Sequence, residues 1–279
     1  MITVLLPTDF SKNADNAIRY ALRLSGKIDC RYVFFHGVLI PVAAPPEASM
    51  MMIDINKDAV QKQLEAYAGK MFASAKMKMP AGRVSCLVSQ GFTVGEQMLD
   101  VVKKTDADLI IMGARGTSKM RKVLFGSSTA DVIASAKVPV IAVPESYDYV
   151  PLKKMLHASD LTNIRKELAF TLPLAKIFNA TLEVAHIADE TLKDEKLIAQ
   201  AQSIIKRRSY KKLKLYVEAT TFGQSVATDL KLLIARHHPD MLIMFRHKHN
   251  WLGRMFFTSR TENLIYETKV PLVAFNLPE

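Results

Sequence analysis

The sequence predicts an α/β protein built as two tandem, doubly wound parallel sheets of five strands each, with helices on both faces. Three observations predict it. The chain repeats itself, short β-branched runs alternate with longer helical patterns in each copy, and a polar, turn-rich stretch at 144–151 separates the copies. The repeat is legible in four places: residues 5–11 return at 155–162, 32–36 at 182–186, 108–112 at 240–244 and 138–143 at 270–275. The offset falls from about 150 in the first two pairs to 132 in the last two. The surplus of the first copy therefore falls near the apolar run 39–53, which reads as an inserted loop. Domains are expected at 1–146 and 152–279.

In the first copy, strands are expected near 2–7, 31–36, 83–88, 108–112 and 138–143, where short β-branched and apolar runs stand between turn residues. Helices are expected near 12–25, 56–78, 93–105 and 127–136. The second of these has the clearest pattern. Val60, Leu64, Tyr67, Ala68, Met71, Phe72 and Ala75 recur at three- and four-residue spacing, opposite Lys57, Gln61, Lys62, Glu65 and Lys70, so one face is buried. In the second copy Pro173 falls inside the first helical pattern, where it is expected to kink or shorten the helix.

Composition bounds the function. The chain has 279 residues, 49% of them hydrophobic and 23% charged, enough to bury a large core and unlike a disordered or fibrous protein. Its net charge of +11 is spread over both copies, 18 Lys+Arg against 14 Asp+Glu up to residue 150 and 20 against 13 after it. That favours anions in general without choosing among nucleotides, nucleic acid and acidic partners. Nucleic acid has no RRM, KH or helix-turn-helix signature behind it. Cys30 and Cys86 lie in apolar stretches with no CxxC, which argues against a disulfide framework, a zinc ribbon or a redox dithiol and fits a reducing cytoplasm. No signal-peptide pattern opens the chain, and its most apolar window, 32–46, is interrupted by Gly37, Pro41, Pro45 and Pro46. No membrane partner is expected.

Ligands of a doubly wound sheet bind beyond the carboxyl ends of the strands, so motifs at strand ends carry the chemistry. After the fourth strand comes Gly113-x2-Gly116, then nine residues, then Gly126-Ser127-Ser128 at the start of the last helix. Glycine at 113 and 116 is expected to let the backbone turn through positive φ and approach a ligand closely. Gly126 and Ser127 offer free amides and a hydroxyl at a helix N-terminus, which favours phosphate. Arg115, Lys119, Arg121 and Lys122 lie between them. The spacing is neither a Walker loop nor GxGxxG. Asp9, after the first strand, reads either as a ligand contact or as a turn acid beside Ser11.

Gly113-x2-Gly116-x9-Gly126-Ser127 resembles the loop of ATP-binding members of the universal stress protein family. Pro7-Thr8-Asp9-Phe10-Ser11 resembles the family's opening strand and turn, His36-Gly37-Val38 its second strand end, and Val138-Pro139-Val140 its closing strand. The resemblance covers both copies, so the chain is similar to a tandem member with the stress-response role of that family. It implies that Pro7, Thr8, Asp9 and Val38 border adenine and ribose. Gly113, Arg115, Gly116, Gly126, Ser127 and Ser128 would then hold the phosphates of ATP, or of AMP or ADP, with Mg2+ as a companion. It implies a pseudo-dimer of the two halves through their closing strands and leaves room for a further homodimer. A binding and regulatory module is expected. The alternative is a slow ATPase, or an adenylating or hydrolytic enzyme of the same fold group. No catalytic residue and no protein-held metal are assigned.

The second copy departs from the motif. At the 132 offset Gly113 becomes Phe245, Gly116 becomes Lys248 and Gly126 becomes Thr258, while Ser127 is kept as Ser259. Bulky side chains are expected to fill the phosphate space, so this copy is expected to have lost the nucleotide. Trp251, Phe256 and Phe257 suit either an interface or an altered ligand site. His237, His238, His247 and His249 have no Cys or carboxylate at metal-ligand spacing. The run 39–53 leaves the second strand on the ligand side and is expected to form a mobile lid over the first crevice.

Overall fold

A computed structural model of the chain describes residues 1–40, 46–114, 127–188, 195–219, 226–246 and 269–276. Two compact units emerge, Met1–Tyr149 and Val150–Glu279.

Unit 1 contains β1 (Ile2–Pro7), α1 (Lys12–Leu24), β2 (Cys30–Leu39), α2 (Pro46–Ser74), β3 (Val84–Gly91), α3 (Val94–Thr105), β4 (Leu109–Gly113), α4 (Ser127–Ser135) and β5 (Val140–Val143). Its strands lie in the order β3-β2-β1-β4-β5, every neighbouring pair parallel. The chain lays β2 and β3 to one side of β1, then returns to place β4 and β5 on the other. Right-handed crossovers that change direction place their helices on opposite faces. Accordingly α1 packs with α2 and α3 with α4. The central strands are almost wholly buried, as their continuous apolar runs require of a sheet covered on both sides: Leu5, Leu6, Val33, Phe34, Phe35 and Ile110 have no exposed surface.

Several expectations are refined here. The stripe of α2 is buried from Leu64 to Phe72, and Phe72 meets Tyr32 and Phe34 at ring separations of 5.4 and 6.1 Å. The helix, however, begins at Pro46, ten residues earlier than its periodicity suggested. Much of the run read as a loop is therefore helical. Pro46 is tolerated in a first turn, and the Glu, Ala and Met residues that follow are strong helix formers. Residues 41–45, the remainder of that run beyond Ile40, lie outside the described residues. The segment read as a linker also belongs partly to unit 1. Asn16 Nδ2 donates to the carbonyls of Pro144 (3.1 Å) and Tyr147 (2.9 Å), and Tyr147 and Tyr149 flank Tyr20.

Unit 2 contains β6 (Lys154–Ala158), α5 (Ile164–Phe178), β7 (Thr181–Ala188), α6 (Glu195–Lys206), β8 (Leu213–Ala219), α7 (Val226–His237), β9 (Met241–Arg246) and β10 (Leu272–Asn276). Its parallel order, β8-β7-β6-β9-β10, repeats that of unit 1. Pro173 does not shorten α5, which runs unbroken through it. Leu168, Leu172 and Ala175 hold the helix down on the sheet through buried contacts. The repeat extends to single hydrogen bonds. Asp108 Oδ2 accepts from the Thr3 amide at 2.8 Å, and Asp240 Oδ2 from the Lys154 amide at 2.8 Å.

Both cysteines are reduced, and burial pushes each thiol up to about 11. The reactive species is the thiolate, so both thiols stay protonated and inert at neutral pH. Iodoacetamide at neutral pH is expected to label the native chain slowly, with mass spectrometry as the check. Rapid labelling of half-buried Cys86 would contradict this.

Candidate functional site

The winding direction of unit 1 reverses between β1 and β4, so the crevice beyond their carboxyl ends is where a doubly wound sheet receives a ligand. The two strands are in register at Leu5↔Ile110, and counting on brings Thr8 level with Gly113.

The turn after β1 is fixed by its own side chains. The Thr8 amide donates to the Phe35 carbonyl at 2.8 Å, which carries the chain one residue past the strand. Thr8 Oγ1 accepts from the Phe10 amide at 2.9 Å, and Asp9 Oδ1 from the Ser11 amide at 3.0 Å. Ser11 caps α1, its Oγ accepting from the Ala14 amide. Phe10 sits at φ 60°, in the left-handed region. Pro7 and Thr8 are buried while Asp9 is exposed.

Around this turn lie residues that sequence reasoning did not assign. His36 Nδ1 donates to the Thr8 carbonyl at 2.8 Å, and the Phe10 ring rests against His36 (4.6 Å) and edge-on to Tyr67 (5.1 Å). Tyr67 Oη donates to Asp15 Oδ1 at 2.5 Å. Burial first, and then that carboxylate, hold the phenol well above its ordinary range, so it remains a donor. Val38 is half-buried, and its carbonyl accepts from Gln97 Nε2 at 3.2 Å. Gln97 Oε1 accepts from Ser89 Oγ at 2.6 Å, which ties the ends of β2 and β3 together.

The glycine at the end of β4 is needed for a different reason from the one expected. Gly113 has no positive φ; among described glycines only Gly82 does, at 69°. Its missing Cβ makes room for a neighbour. A Cβ there would stand 2.7 Å from Asn13 Cγ, and Asn13 is buried at the start of α1. Thr129 Oγ1 donates to the Gly113 carbonyl at 3.3 Å, joining the first turn of α4 to the end of β4. The backbones of Ser127 and Ser128 open α4, whose unpaired amides favour an anion. Arg115, Gly116, Lys119, Arg121, Lys122 and Gly126 lie outside the described residues. Pro7, Thr8, Asp9, Gly113 and the start of α4 thus come together, and Val38 stands one strand away.

Unit 2 builds the same turn and closes it. Ser159 Oγ accepts from the Leu161 amide at 2.9 Å, Asp160 Oδ1 from the Thr162 amide at 3.0 Å, and His186 Nδ1 donates to the Ser159 carbonyl at 3.0 Å. Leu161 repeats the left-handed φ, at 64°. Asp160, by contrast, is 7% exposed and also accepts from Thr162 Oγ1 at 2.7 Å. Beneath the turn, Ser159 Oγ donates to Glu167 Oε2 at 2.6 Å, and His157 Nε2 lies 3.1 Å from the same oxygen. This His–Glu contact is an ion-pair approach without hydrogen-bond alignment.

Phe245, which stands for Gly113, does not project into phosphate space as expected. Its ring is wholly buried, stacked on Phe275 at 4.9 Å and 5.0 Å from His157. In a strand the side chain must leave one face or the other, and the core offers apolar partners. His237 is buried with its Nδ1 2.8 Å from Glu183 Oε2, which commits it to a structural pair. His238 is exposed. His247, Lys248, His249, Trp251, Phe256, Phe257, Thr258 and Ser259 lie outside the described residues.

Comparison with known proteins agrees with this duplicated plan. The universal stress protein of Methanocaldococcus jannaschii named MJ0577 is 24% identical over 152 residues, covering 50% of this chain and 93% of its own. A universal stress protein of Thermus aquaticus, encoded 3′ of a sulfhydrylase, is 29% identical over 141 residues, 50% of this chain and 97% of its own. The crystal structure of a universal stress protein from Archaeoglobus fulgidus superposes along the whole length, with a TM-score of 0.73, 18% identity and coverage of 99% of this chain and 97% of that one. Single-domain relatives thus account for half of the chain each. The model of the universal stress protein family matches twice, at residues 1–144 and 152–276, and a chain that folds the same parallel sheet twice under those matches belongs to the universal stress protein family as a tandem member.

Proposed function

We propose that unit 1 holds one adenine nucleotide, ATP or its ADP and AMP relatives, in the crevice beyond β1 and β4, and that the chain works as a binding and regulatory module. The observation that carries this reading is the difference between the two copies of one turn. Asp9 is exposed beside a glycine-ended strand, whereas Asp160 is buried beside Phe245. The amide-rich start of α4 suits an anionic ligand brought close to backbone. In this reading Pro7, Thr8, Asp9 and Val38 border the nucleoside, while Gly113, Arg115, Gly116, Gly126, Ser127 and Ser128 hold the phosphates. Mg2+ would arrive as a companion of the phosphates. Amides, hydroxyls and one acid retain a nucleotide without the positioned base and charge clamp that rapid phosphoryl transfer needs.

Titration calorimetry of the full chain with ATP is expected to give one site. Gly126→Val is expected to abolish it by blocking close approach of the backbone, and Ser259→Ala to leave it unchanged. Two equivalent sites per chain, or affinity that survives Gly126→Val and fails on Ser259→Ala, would place the nucleotide in the wrong half. Product analysis after incubation with ATP separates retention from turnover.

A further inference from the structure

We propose that unit 2 docks on an anionic phospholipid surface through the outer face of α5 and the turn between α6 and β8. This inference is independent of the nucleotide reading and departs from the expectation that the chain has no membrane partner. The turn concentrates charge: Lys206, Arg207, Arg208, Lys211, Lys212 and Lys214 are six cations among nine residues, all exposed, with no acid between them. None is in an ion pair with a described residue.

The helix beside it is apolar on its outer face. Phe170, Pro173 and Ile177 are exposed at successive turns of α5, Phe170 by 44% and Ile177 by 45%. Lys166 continues that line, and Arg165 and Lys176 are also exposed. The helix's one acid, Glu167, is turned inward to Ser159 and His157. The two features form a single surface because the turn is fastened to the end of α5. Tyr210 Oη donates to the carbonyls of Ala175 (3.0 Å) and Ala180 (2.6 Å), and Lys212 Nζ to the carbonyl (2.8 Å) and Oδ1 (2.9 Å) of Asn179.

The duplication supplies a control. By strand register Lys212 stands for Arg83 and Asn179 for Asp29. In unit 1 Arg83 is neutralised by Asp29; in unit 2 the acid has become an amide and its partner's charge remains. The matching turn of unit 1, residues 77–85, has only Lys78 and Arg83 as cations. Phe170 and Ile177 likewise stand where α1 has Arg19 and the following turn Gly26. Both halves of the surface are therefore particular to unit 2.

Charge alone would suit any polyanion, and the apolar line decides among them. A phosphodiester backbone gains from cations and gives exposed Phe and Ile side chains nothing to bury against. At a bilayer surface, cations are drawn by acidic headgroups while apolar side chains between them enter the headgroup boundary.

The test is co-sedimentation of the full chain with phosphatidylcholine vesicles, with and without about 30% phosphatidylserine, alongside binding to duplex DNA. Two variants are used, Arg207→Glu/Arg208→Glu and Pro173→Ser/Ile177→Ser. The second avoids Phe170, whose ring rests on Phe275 at 5.5 Å. The chain is expected to bind only the acidic vesicles. The charge variant should lose at least about tenfold in affinity. The apolar variant should lose about fivefold on vesicles with no change on DNA. Equal affinity for both vesicles, no binding to the acidic ones, or vesicle binding untouched by Pro173→Ser/Ile177→Ser would overturn the proposal. Tighter binding to duplex DNA than to acidic vesicles would assign the surface to nucleic acid instead.

Discussion

Replacing Glu167 with alanine is expected to destabilise unit 2 by about 1–3 kcal/mol, the usual cost of leaving a buried polar group without its partner. Glu167 is 1% exposed, and a single oxygen, Oε2, serves both Ser159 Oγ and His157 Nε2. Its loss leaves the buried Ser159 hydroxyl without its acceptor and removes the carboxylate beside His157. The matching positions in unit 1 are Asn16 for Glu167 and Leu6 for His157, so the same place in the fold is packed there with neither an acid nor an imidazole. The pair His157→Leu/Glu167→Leu is therefore expected to cost less than the sum of its single changes. Pulse proteolysis in a urea series, read on peptides from residues 150–279, reports that half separately. A Glu167→Ala midpoint unchanged from the parent would mean that the cluster contributes nothing to stability.

Gly113→Ala is expected to destabilise unit 1 by about 1–3 kcal/mol through overpacking. The new Cβ would stand 2.7 Å from Asn13 Cγ, and Asn13 is too buried to swing aside freely. Asn13→Ala in the same chain is expected to recover most of the loss, because the clash is with that side chain. A double-mutant cycle measures the coupling, and additive effects would show that Gly113 is required for some other reason. On the nucleotide reading, Gly113→Val should in addition remove ATP binding.

Much of the fold was legible because the chain states it twice. Apolar runs such as 109–112 and 241–244 mark strands buried on both faces, and their recurrence in the same sequence order in both copies gives the order of elements. The start of α2 was not legible. Its first turns carry apolar residues on all sides, and without a stripe there is no period to read. Within the site, Thr8, Asp9 and Gly113 stood out as strand-end residues. Asn13, Gln97 and Thr129 did not, since each matters through a partner distant in sequence: Gly113, Val38 and again Gly113. The buried polar cluster of unit 2 was equally hidden. His157 and Glu167 sit in apolar surroundings ten residues apart, and only the fold brings Glu167 Oε2 up to both His157 and Ser159.

The left-handed residue in the turn after the first strand has a kinetic consequence. Phe10 and Leu161 both occupy this region, at φ 60° and 64°, although neither is glycine. Such backbone costs of order 1–3 kcal/mol, and it persists only where its surroundings over-determine it. It persists equally in unit 2, where the neighbouring acid is buried, so the geometry belongs to the strand-to-helix joint and not to any ligand. A molecule entering the crevice of unit 1 thus meets a wall already in its final shape. The turn itself should therefore add no rearrangement step to ligand capture.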